Sequence, residues 1–356
     1  MGLKLFEHWL LSEGGWATTK TQDTLIKPKI IGNSVKKMIT ISSDFSRHCQ
    51  SLNLPPLDFL KPIGSGTWYE DDISSQPDKV YGDVDYMISY PTLELDGKDE
   101  RSNEIASVKL YNKELMSFLK KQNYSFIDIP ETEKVSSDSS IKLIMGVDTE
   151  EGEGWIQMDI IVTHSGYKDW AVFRMTPIRN VKGFVLGNLY SSLGEVLEIS
   201  IQPRGVRAKF AGSSMVAYSK RAGAEDRLLT ANINTFMHDI AQFFWKESGT
   251  DKSYEPSSDF ASWKGINAND PRFEDLCDGI KGLANTLEKL GEFGTVIKYR
   301  SAKELLDAVK SRYISKMETA ASSSKFDKAE TPAAMAARDK VQKFVNEYIK
   351  KANELL

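Results

Sequence analysis

The chain has 356 residues, of which 40% are hydrophobic and 27% are charged, and its formal net charge is -4 at pH 7. This composition is typical of a globular protein of two or three domains, and a charge so near zero does not indicate a broadly basic nucleic-acid-binding surface, although it allows a local basic patch. The two cysteines, Cys49 and Cys277, are too few for a disulfide framework, and no apolar run reaches the roughly 18 residues of a membrane span. We therefore expect a cytoplasmic protein that does not enter a membrane.

Residues 1–52 are predicted to be an N-terminal helical segment. Residues 1–11 have an amphipathic pattern that fits a short helix, and they lack the unbroken apolar core of a signal peptide. Residues 33–52 carry apolar side chains at helical spacing, with Asn33 or Ser34 as the N-cap. The pair Pro55-Pro56 then breaks the helical pattern.

Residues 53–165 have the pattern of a small mixed β-sheet with helices against it, so the predicted fold class is α+β. Two strands flank a Gly64-Ser65-Gly66 turn and an acidic loop, and a later hairpin supplies two more strands. The predicted elements are a strand at 57–63, the loop at 68–79, a strand at 82–90, a helix at 102–122, and strands at 141–147 and 155–163.

Residues 166–320 are predicted to be a second, mostly helical domain with one β-hairpin, and residues 333–356 a C-terminal helix behind a serine-rich linker. Helical spacing of apolar residues carries these assignments. The predicted helices are 167–175, 184–197, 226–244, 273–290 and 302–317, and the hairpin strands are 198–202 and 206–210.

Asp83 and Asp85 are the most informative residues of the chain. Side chains two positions apart on a strand point the same way, so both carboxylates project from one face. They repel each other unless a cation lies between them, and hard oxygen ligands of this kind suit Mg²⁺, which also takes phosphate oxygens. The small Gly64-Ser65 turn upstream lets a phosphate approach backbone N–H groups closely. Together these residues predict a metal-dependent enzyme that acts on a nucleoside triphosphate.

Asp159 is the best candidate for a third carboxylate. It lies in the run 155–162, which is otherwise largely apolar, and a lone charge there is costly unless it is paired or bound to a metal. Nucleotidyl transfer uses two metal ions roughly 3.5–4 Å apart, and holding two ions takes about three carboxylates. Asp83, Asp85 and Asp159 therefore predict a centre for two Mg²⁺ ions, with Mn²⁺ as an alternative metal.

This pattern resembles the nucleotidyltransferase superfamily typified by DNA polymerase β, whose signature is a Gly-Ser turn, an Asp-x-Asp strand and a third acid on a later strand. The matching elements are Gly64-Ser65, Asp83-Val84-Asp85 and Asp159, and the resemblance covers residues 57–162. It implies that Ser65 and nearby amides hold the triphosphate and that Asp83 and Asp85 bridge two Mg²⁺ ions. It also implies that Asp159 binds the catalytic-site ion and positions the attacking hydroxyl, with pyrophosphate as the leaving group.

One departure from the family pattern lies between the two motifs. Ser65 and Asp83 are 18 positions apart, a longer gap than is usual in the family, and this insert either closes over the substrate or weakens the assignment. Each motif taken singly also has a simpler explanation. The Gly-Ser pair is consistent with a plain turn, the Asp-x-Asp pair with a solvated edge or a Ca²⁺-like loop, and Asp159 with a surface acid at a strand end.

Two groups of cations are candidates for phosphate contacts. Arg174, Arg179 and Lys182 follow the third acid at distances that allow a return to the cleft, and Arg179 and Lys182 are candidate nucleotide-binding residues together with the Gly-Ser turn. Arg204, Arg207 and Lys209 decorate the second hairpin, and Arg207 and Lys209 share one strand face that suits a nucleic-acid backbone. A solvated basic face explains either group equally well.

Our interpretation of the sequence is a Mg²⁺-dependent nucleotidyltransferase that attaches a nucleoside monophosphate, from ATP or another nucleoside triphosphate, to an acceptor hydroxyl. The expected acceptor is an RNA 3′ end such as that of tRNA, by analogy with the helical C-terminal half of tRNA nucleotidyltransferases. A protein side chain or a small molecule stays open as the acceptor. The rival interpretation is a non-catalytic interaction or virion-associated protein that retains the fold. Residues 5–15 also resemble the starts of uncharacterised tailed-bacteriophage proteins.

Overall fold

The computed structural model describes residues 26–79, 81, 83–91, 93, 100–128, 140–149, 152–178, 183–216, 224–267, 269–290, 298–322 and 332–356. The fold is α+β, as predicted, and the chain divides after Lys168 into two compact units. The predicted helix at 1–11 and the candidate cations Arg179 and Lys182 lie outside the described residues. None of the helices within those ranges is long and apolar enough to cross a membrane.

The first unit combines long helices with a mixed sheet. Its elements in chain order are α1 (Pro28–Ser51), β1 (Asp58–Ile63), α2 (Tyr69–Ser75), β2 (Val84–Tyr90), α3 (Glu100–Lys121), β3 (Phe126–Asp128), β4 (Ser140–Thr149) and β5 (Gly152–His164). The five strands lie in the order β1-β2-β5-β4-β3. Strands β2 and β5 are parallel, whereas the other neighbouring pairs are antiparallel.

One buried apolar cluster joins α1 and α3 to the sheet. Val84, Tyr86 and Ile88 of β2 and Met158 and Ile160 of β5 all belong to it, and they occupy alternate positions on their strands. Each such side chain contributes roughly 1.5–3 kcal/mol when it is fully removed from water. Because side chains alternate along a strand, the residues between these, which include Asp85 and Asp159, point to the opposite face of the sheet.

Helix α1 begins earlier than the sequence pattern predicts. Its first residue is Pro28, Lys27 is its N-cap, and Ser34 lies within the helix instead of capping it. Proline is tolerated at the first helical position because its missing N–H group would have no partner there in any case. The Ser34 hydroxyl instead donates to the Ile31 carbonyl and makes a short hydrogen bond with the Tyr86 hydroxyl.

The insert at 68–79 is a folded element, so its prediction as a loop is wrong. It contains the helix α2, which packs against α1. The reason is a buried acid: the Asp72 side chain is 0% exposed and lies 2.6 Å from the Lys79 ammonium. The Tyr81 hydroxyl donates a short hydrogen bond to the same carboxylate. Burial is the main cause that raises the pKa of Tyr81 far above its ordinary value, and the interaction with Asp72 is the second.

The second unit is mostly helical and holds a small antiparallel sheet. Its elements are α4 (Lys168–Met175), α5 (Phe184–Leu197), β6 (Ser200–Gln202), β7 (Gly205–Ala211), β8 (Ser214–Val216), β9 (Glu225–Thr230), α6 (Phe236–Glu247), α7 (Ser258–Ala261), α8 (Phe273–Glu288), α9 (Ala302–Ala321) and α10 (Pro332–Leu355). Strand β7 is central in this sheet and pairs with β6, β8 and β9.

The predicted helix at 226–244 is wrong in its first part. Residues Glu225–Thr230 form β9, and the helix begins at Phe236. Pairing with β7 makes this segment a strand. Its own sequence has too little apolar alternation to predict one. The predicted hairpin is thereby widened into a four-stranded sheet.

Candidate metal centre

The parallel pairing of β2 and β5 brings distant acids together. Asp85 and Asp159 are direct partners in the register of these strands, and Asp83 immediately precedes β2. Along their strands, the three acids alternate with residues of the core cluster such as Val84, Tyr86 and Met158, so they point to the opposite face of the sheet. The sheet therefore presents three carboxylates on the face that does not pack against α1 and α3.

The three carboxylates converge. One carboxylate oxygen from each of Asp83, Asp85 and Asp159 lies within 4.8 Å of the others. Asp83 is only 8% exposed, and the other two side chains are partly buried. Three ionised acids at this spacing repel one another strongly in a partly buried setting, and a divalent cation coordinated by their oxygens removes that repulsion. The donor set is entirely hard oxygen, which suits Mg²⁺ or Mn²⁺ better than softer metals.

Gln157 supports Asp83 from the neighbouring strand. Its side chain is 2% exposed, and its amide nitrogen donates to Asp83 Oδ2 over 3.4 Å. A buried amide is stable only with such partners. The sequence signal for Gln157 is its position two residues before Asp159, on the same face of β5, but that face is known to be functional only after Asp159 has been placed.

Gly64 lies against the acids from the end of β1. Ile63 pairs with Asp85 in the sheet, and Gly64 follows with a φ of +59°. A Cβ atom at Gly64 would lie 2.7 Å from Asp85 Oδ2, closer than any real side chain can approach. Glycine is therefore favoured both by the left-handed backbone and by the close approach of the Asp85 carboxylate. The Thr67 hydroxyl donates to the Gly64 carbonyl over 2.9 Å and helps to close the turn.

The predicted phosphate turn is a short 3-10 helix. It spans Gly64–Trp68 and joins β1 directly to α2. The backbone of Ser65 belongs to this turn, but its side chain lies outside the part of the chain that the structure describes. The turn thus begins beside the Asp85 carboxylate, near where a phosphate bound to the same metal would be expected to lie.

The second hairpin places its predicted basic residues unequally. Arg207 is 4% exposed, lies 3.9 Å from Asp226 and donates from Nε to the Arg204 carbonyl. Its guanidinium is therefore engaged inside the second unit and is poorly placed to meet a phosphate from solvent. Arg204 lies in the turn between β6 and β7, and both Arg204 and Lys209 are only partly buried. Their nucleic-acid-binding role stays a prediction.

Arg174 of α4 packs inside the second unit. Its guanidinium lies over the Tyr190 ring at 4.0 Å and donates to the Ile201 carbonyl over 3.1 Å. Burial lowers the pKa of Arg174 and raises that of Tyr190, as is expected for two polar groups taken out of water together. This arrangement is a cation–π contact within the second unit.

Comparison with known proteins adds little to this geometry. No protein-family model matches the chain, and no curated protein is similar to it in sequence. Among solved structures, the chain is similar to Leishmania infantum polymerase beta in a ternary gap complex, with 11% sequence identity and a TM-score of 0.34. The match covers 86% of this chain and 77% of the polymerase chain. A similarity at this level identifies neither the activity nor the ligands of this protein.

Proposed function

We propose that the protein is a metal-dependent nucleotidyltransferase that transfers a nucleoside monophosphate from a nucleoside triphosphate to an acceptor hydroxyl. The observation that carries this proposal is the convergence of Asp83, Asp85 and Asp159 beside the Gly64 turn. Three carboxylates that meet on one sheet face match the requirements of a two-metal centre for phosphoryl or nucleotidyl transfer.

The residues of the first unit have separate proposed roles in binding the metal ions and the triphosphate. Asp83 and Asp85 would hold both ions, and Asp159 would hold the ion on the side of the attacking hydroxyl. When bound, divalent ions neutralise charge on the phosphate oxygens and lower the pKa of the attacking hydroxyl. The amides of the turn that contains Gly64 and Ser65 would bind the triphosphate. The nucleotide-binding role of Arg179 and Lys182, which lie outside the described residues, stays a prediction from the sequence.

The proposed reaction is a single displacement. The oxygen of the acceptor hydroxyl forms a bond to the α-phosphorus, while the bond from the α-phosphorus to the bridging oxygen breaks. Pyrophosphate leaves with that electron pair, and the hydroxyl proton passes to solvent. Asp159 orients the hydroxyl in line with the departing oxygen, which is the main catalytic requirement of such transfers.

We infer an RNA 3′ end, such as that of tRNA, as the acceptor. The support for this assignment is the mostly helical second unit, which is an analogy of fold and is weaker than the evidence for the metal centre. A protein side chain or a small molecule would use the same chemistry. The experiment below therefore tests acceptors of all these classes side by side.

The test is incorporation of label from each of the four α-³²P-labelled nucleoside triphosphates in the presence of Mg²⁺. RNA, DNA, protein and small-molecule hydroxyl pools serve as acceptors. We expect wild-type protein to label one class of acceptor and Asp85→Asn to lower the rate by at least about 10³-fold, as for loss of a principal electrostatic group. Asp148→Asn is the matched control, because Asp148 is an exposed acid of β4 in the same unit.

Two outcomes would contradict the proposal. Labelling that survives Asp83→Asn or Asp85→Asn would exclude the carboxylate centre as its source. A wild-type protein that binds neither Mn²⁺ nor any nucleoside triphosphate would favour the non-catalytic interaction or virion-associated protein instead.

A further inference from the structure

The insert between the two motifs contains a second carboxylate centre, built around Asp72. This acid is fully buried, although it lies in a short helix whose neighbours Asp71 and Ile73 are exposed. It accepts hydrogen bonds from Lys79 over 2.6 Å, from Gln76 over 3.3 Å and from the Tyr81 hydroxyl. Burying a carboxylate is costly, so a surface loop that served only as a connection would not need one.

The partners of Asp72 lie at the far end of the insert. Asp72 stands eight positions after Gly64, whereas Tyr81 stands two positions before Asp83. The Asp72 carboxylate therefore connects the segment that leaves the Gly64 turn to the segment that enters the Asp-x-Asp strand. The insert is closed on itself within a few residues of both motifs.

The two ends of the insert are also attached to the body of the unit. The Tyr81 amide donates to the Ile26 carbonyl over 2.9 Å, and Lys27 pairs with Asp78 over 2.8 Å. At the other end, the ring of Tyr69 packs against α1 beside Gly32, where an added Cβ would lie 3.6 Å from the ring. Asp72 thus connects two anchored ends and leaves the Gly64 turn little freedom to move away from Asp85.

We propose that Asp72 is a positioning residue: with Lys79 and Tyr81 it holds the insert closed and thereby sets the distance between the backbone amides of the Gly64 turn and the carboxylates of Asp83, Asp85 and Asp159. The proposal rests on the nucleotidyltransferase function proposed above. It gives the long insert a purpose in binding the metal–nucleotide complex, because the turn would meet the phosphates and the triad would meet the metal.

This arrangement predicts that loss of the Asp72 bonds changes the affinity for the metal–nucleotide complex but not the affinity for metal alone. Asp85 and Asp159 are held by the pairing of β2 with β5, and Gln157 of β5 donates to Asp83, so we expect loss of the Asp72 bonds to leave the binding of metal alone unchanged. The complex of metal with nucleotide also needs the turn, and a displacement of about 1 Å there weakens binding or transfer on the order of 10- to 100-fold. A residue with a purely structural role would not separate the two.

The experiment uses full-length wild-type protein and the variants Asp72→Asn and Tyr81→Phe. Tyr124→Phe is the matched control, since it removes another tyrosine–aspartate hydrogen bond, to Asp44, from the same unit. Binding of Mn²⁺ alone is measured by electron paramagnetic resonance. Binding of Mg²⁺ with nucleoside triphosphate analogues that carry a methylene group between the α- and β-phosphates is measured by calorimetry, and hydrogen exchange is followed in the amides of 64–68.

We expect Asp72→Asn and Tyr81→Phe to bind Mn²⁺ as wild type does, to bind the analogue about tenfold more weakly and to exchange the 64–68 amides faster. Tyr124→Phe should match wild type in all three. If the wild type binds Mn²⁺ and an analogue, and both variants bind the analogue as tightly as the wild type does, the positioning role is wrong while the proposed function stands. If the wild type binds no analogue, the proposed function and the positioning role both fail.

Should Asp72→Asn fail to fold, Tyr81→Phe decides the result, because it removes one hydroxyl and leaves the ion pair with Lys79 in place. Additive effects of the two substitutions in a double variant would also contradict the proposal. Groups that act through one shared hydrogen-bond network are expected to be non-additive.

Discussion

The first unit contains two carboxylate centres of opposite construction. Asp72 is a single acid that its own chain neutralises with an ammonium group at 2.6 Å and a tyrosine hydroxyl. The triad instead gathers three acids within 4.8 Å of one another and supports one of them with the neutral amide of Gln157. Folding therefore gives the first centre a cation from its own chain, whereas the second gathers three acids in a geometry that suits a bound cation. The contrast separates an acid that holds the insert in place from a candidate ligand-binding site within the same unit.

The largest expected effect on stability comes from removing the Asp72 carboxylate. Asp72→Asn should lower the free energy of unfolding of the first unit by about 3 kcal/mol, because the buried position loses the charge-assisted hydrogen bonds from the partly buried Lys79 ammonium and from the Tyr81 hydroxyl. Asp85→Asn, measured without metal, should leave that free energy unchanged or raise it, since it reduces repulsion within the triad. Denaturant titration in EDTA measures both. Equal destabilisation by the two variants would remove the distinction between the centres.

The next effect concerns the cation. Mg²⁺ or Mn²⁺ at 100 times its dissociation constant should stabilise the wild type by about 2.7 kcal/mol, because it binds the folded form alone. The same addition should not stabilise Asp85→Asn, while Asp72→Asn should still respond. Thermal unfolding with and without metal gives the comparison. A metal response that persists in Asp85→Asn would place the cation elsewhere.

A smaller effect concerns the contact between the turn and the triad. Gly64→Ala should destabilise the first unit by about 2 kcal/mol, from the left-handed backbone together with the clash of its Cβ with Asp85. Combining it with Asp85→Ala should recover the part that is due to the clash and leave the backbone cost. A double-mutant cycle by denaturant titration measures that coupling. No coupling between the two positions would mean that the turn does not press on Asp85.

The smallest effect concerns Gln157. Gln157→Leu keeps the volume approximately but removes the donor to Asp83, and we expect it to cost about 1 kcal/mol in stability. It should also weaken Mn²⁺ binding several-fold, because the Asp83 carboxylate loses the bond that orients it. Ser46→Ala is a suitable control, as it removes a side-chain bond to the Leu57 carbonyl elsewhere in the unit. A Gln157→Leu variant with wild-type metal affinity would show that Asp83 needs no such support.

Local chain patterns predicted much of this architecture. The sequence pattern predicted β2 and the hairpin of β4 and β5, and the alternation along β2 put Asp83 and Asp85 on the face opposite its apolar side chains. Helix α5 was predicted with its observed bounds, 184–197. The insert helix α2 was missed because its stability comes from Asp72, Lys79 and Tyr81, whose contacts are not visible as a period in the sequence.

Non-local pairing accounts for the other differences. Strand β9 was taken for the start of a helix, since only its partner β7 makes it a strand. Arg207 was assigned to an accessible strand face, but its pairing with Asp226 and its burial depend on β9 lying beside β7. Short polar segments carry little preference of their own, so tertiary contacts decide them.

By itself, the sequence determined which residues can carry the chemistry: two acids at strand spacing, a third acid in an apolar run, and a Gly-Ser turn. It did so because residue type and a period of two are local properties. Only the tertiary structure decided that the three acids meet within 4.8 Å, that Gly64 lies against Asp85 and that the long insert is held by Asp72. These facts depend on the parallel pairing of β2 with β5 and on contacts between segments distant in sequence, which no local pattern encodes.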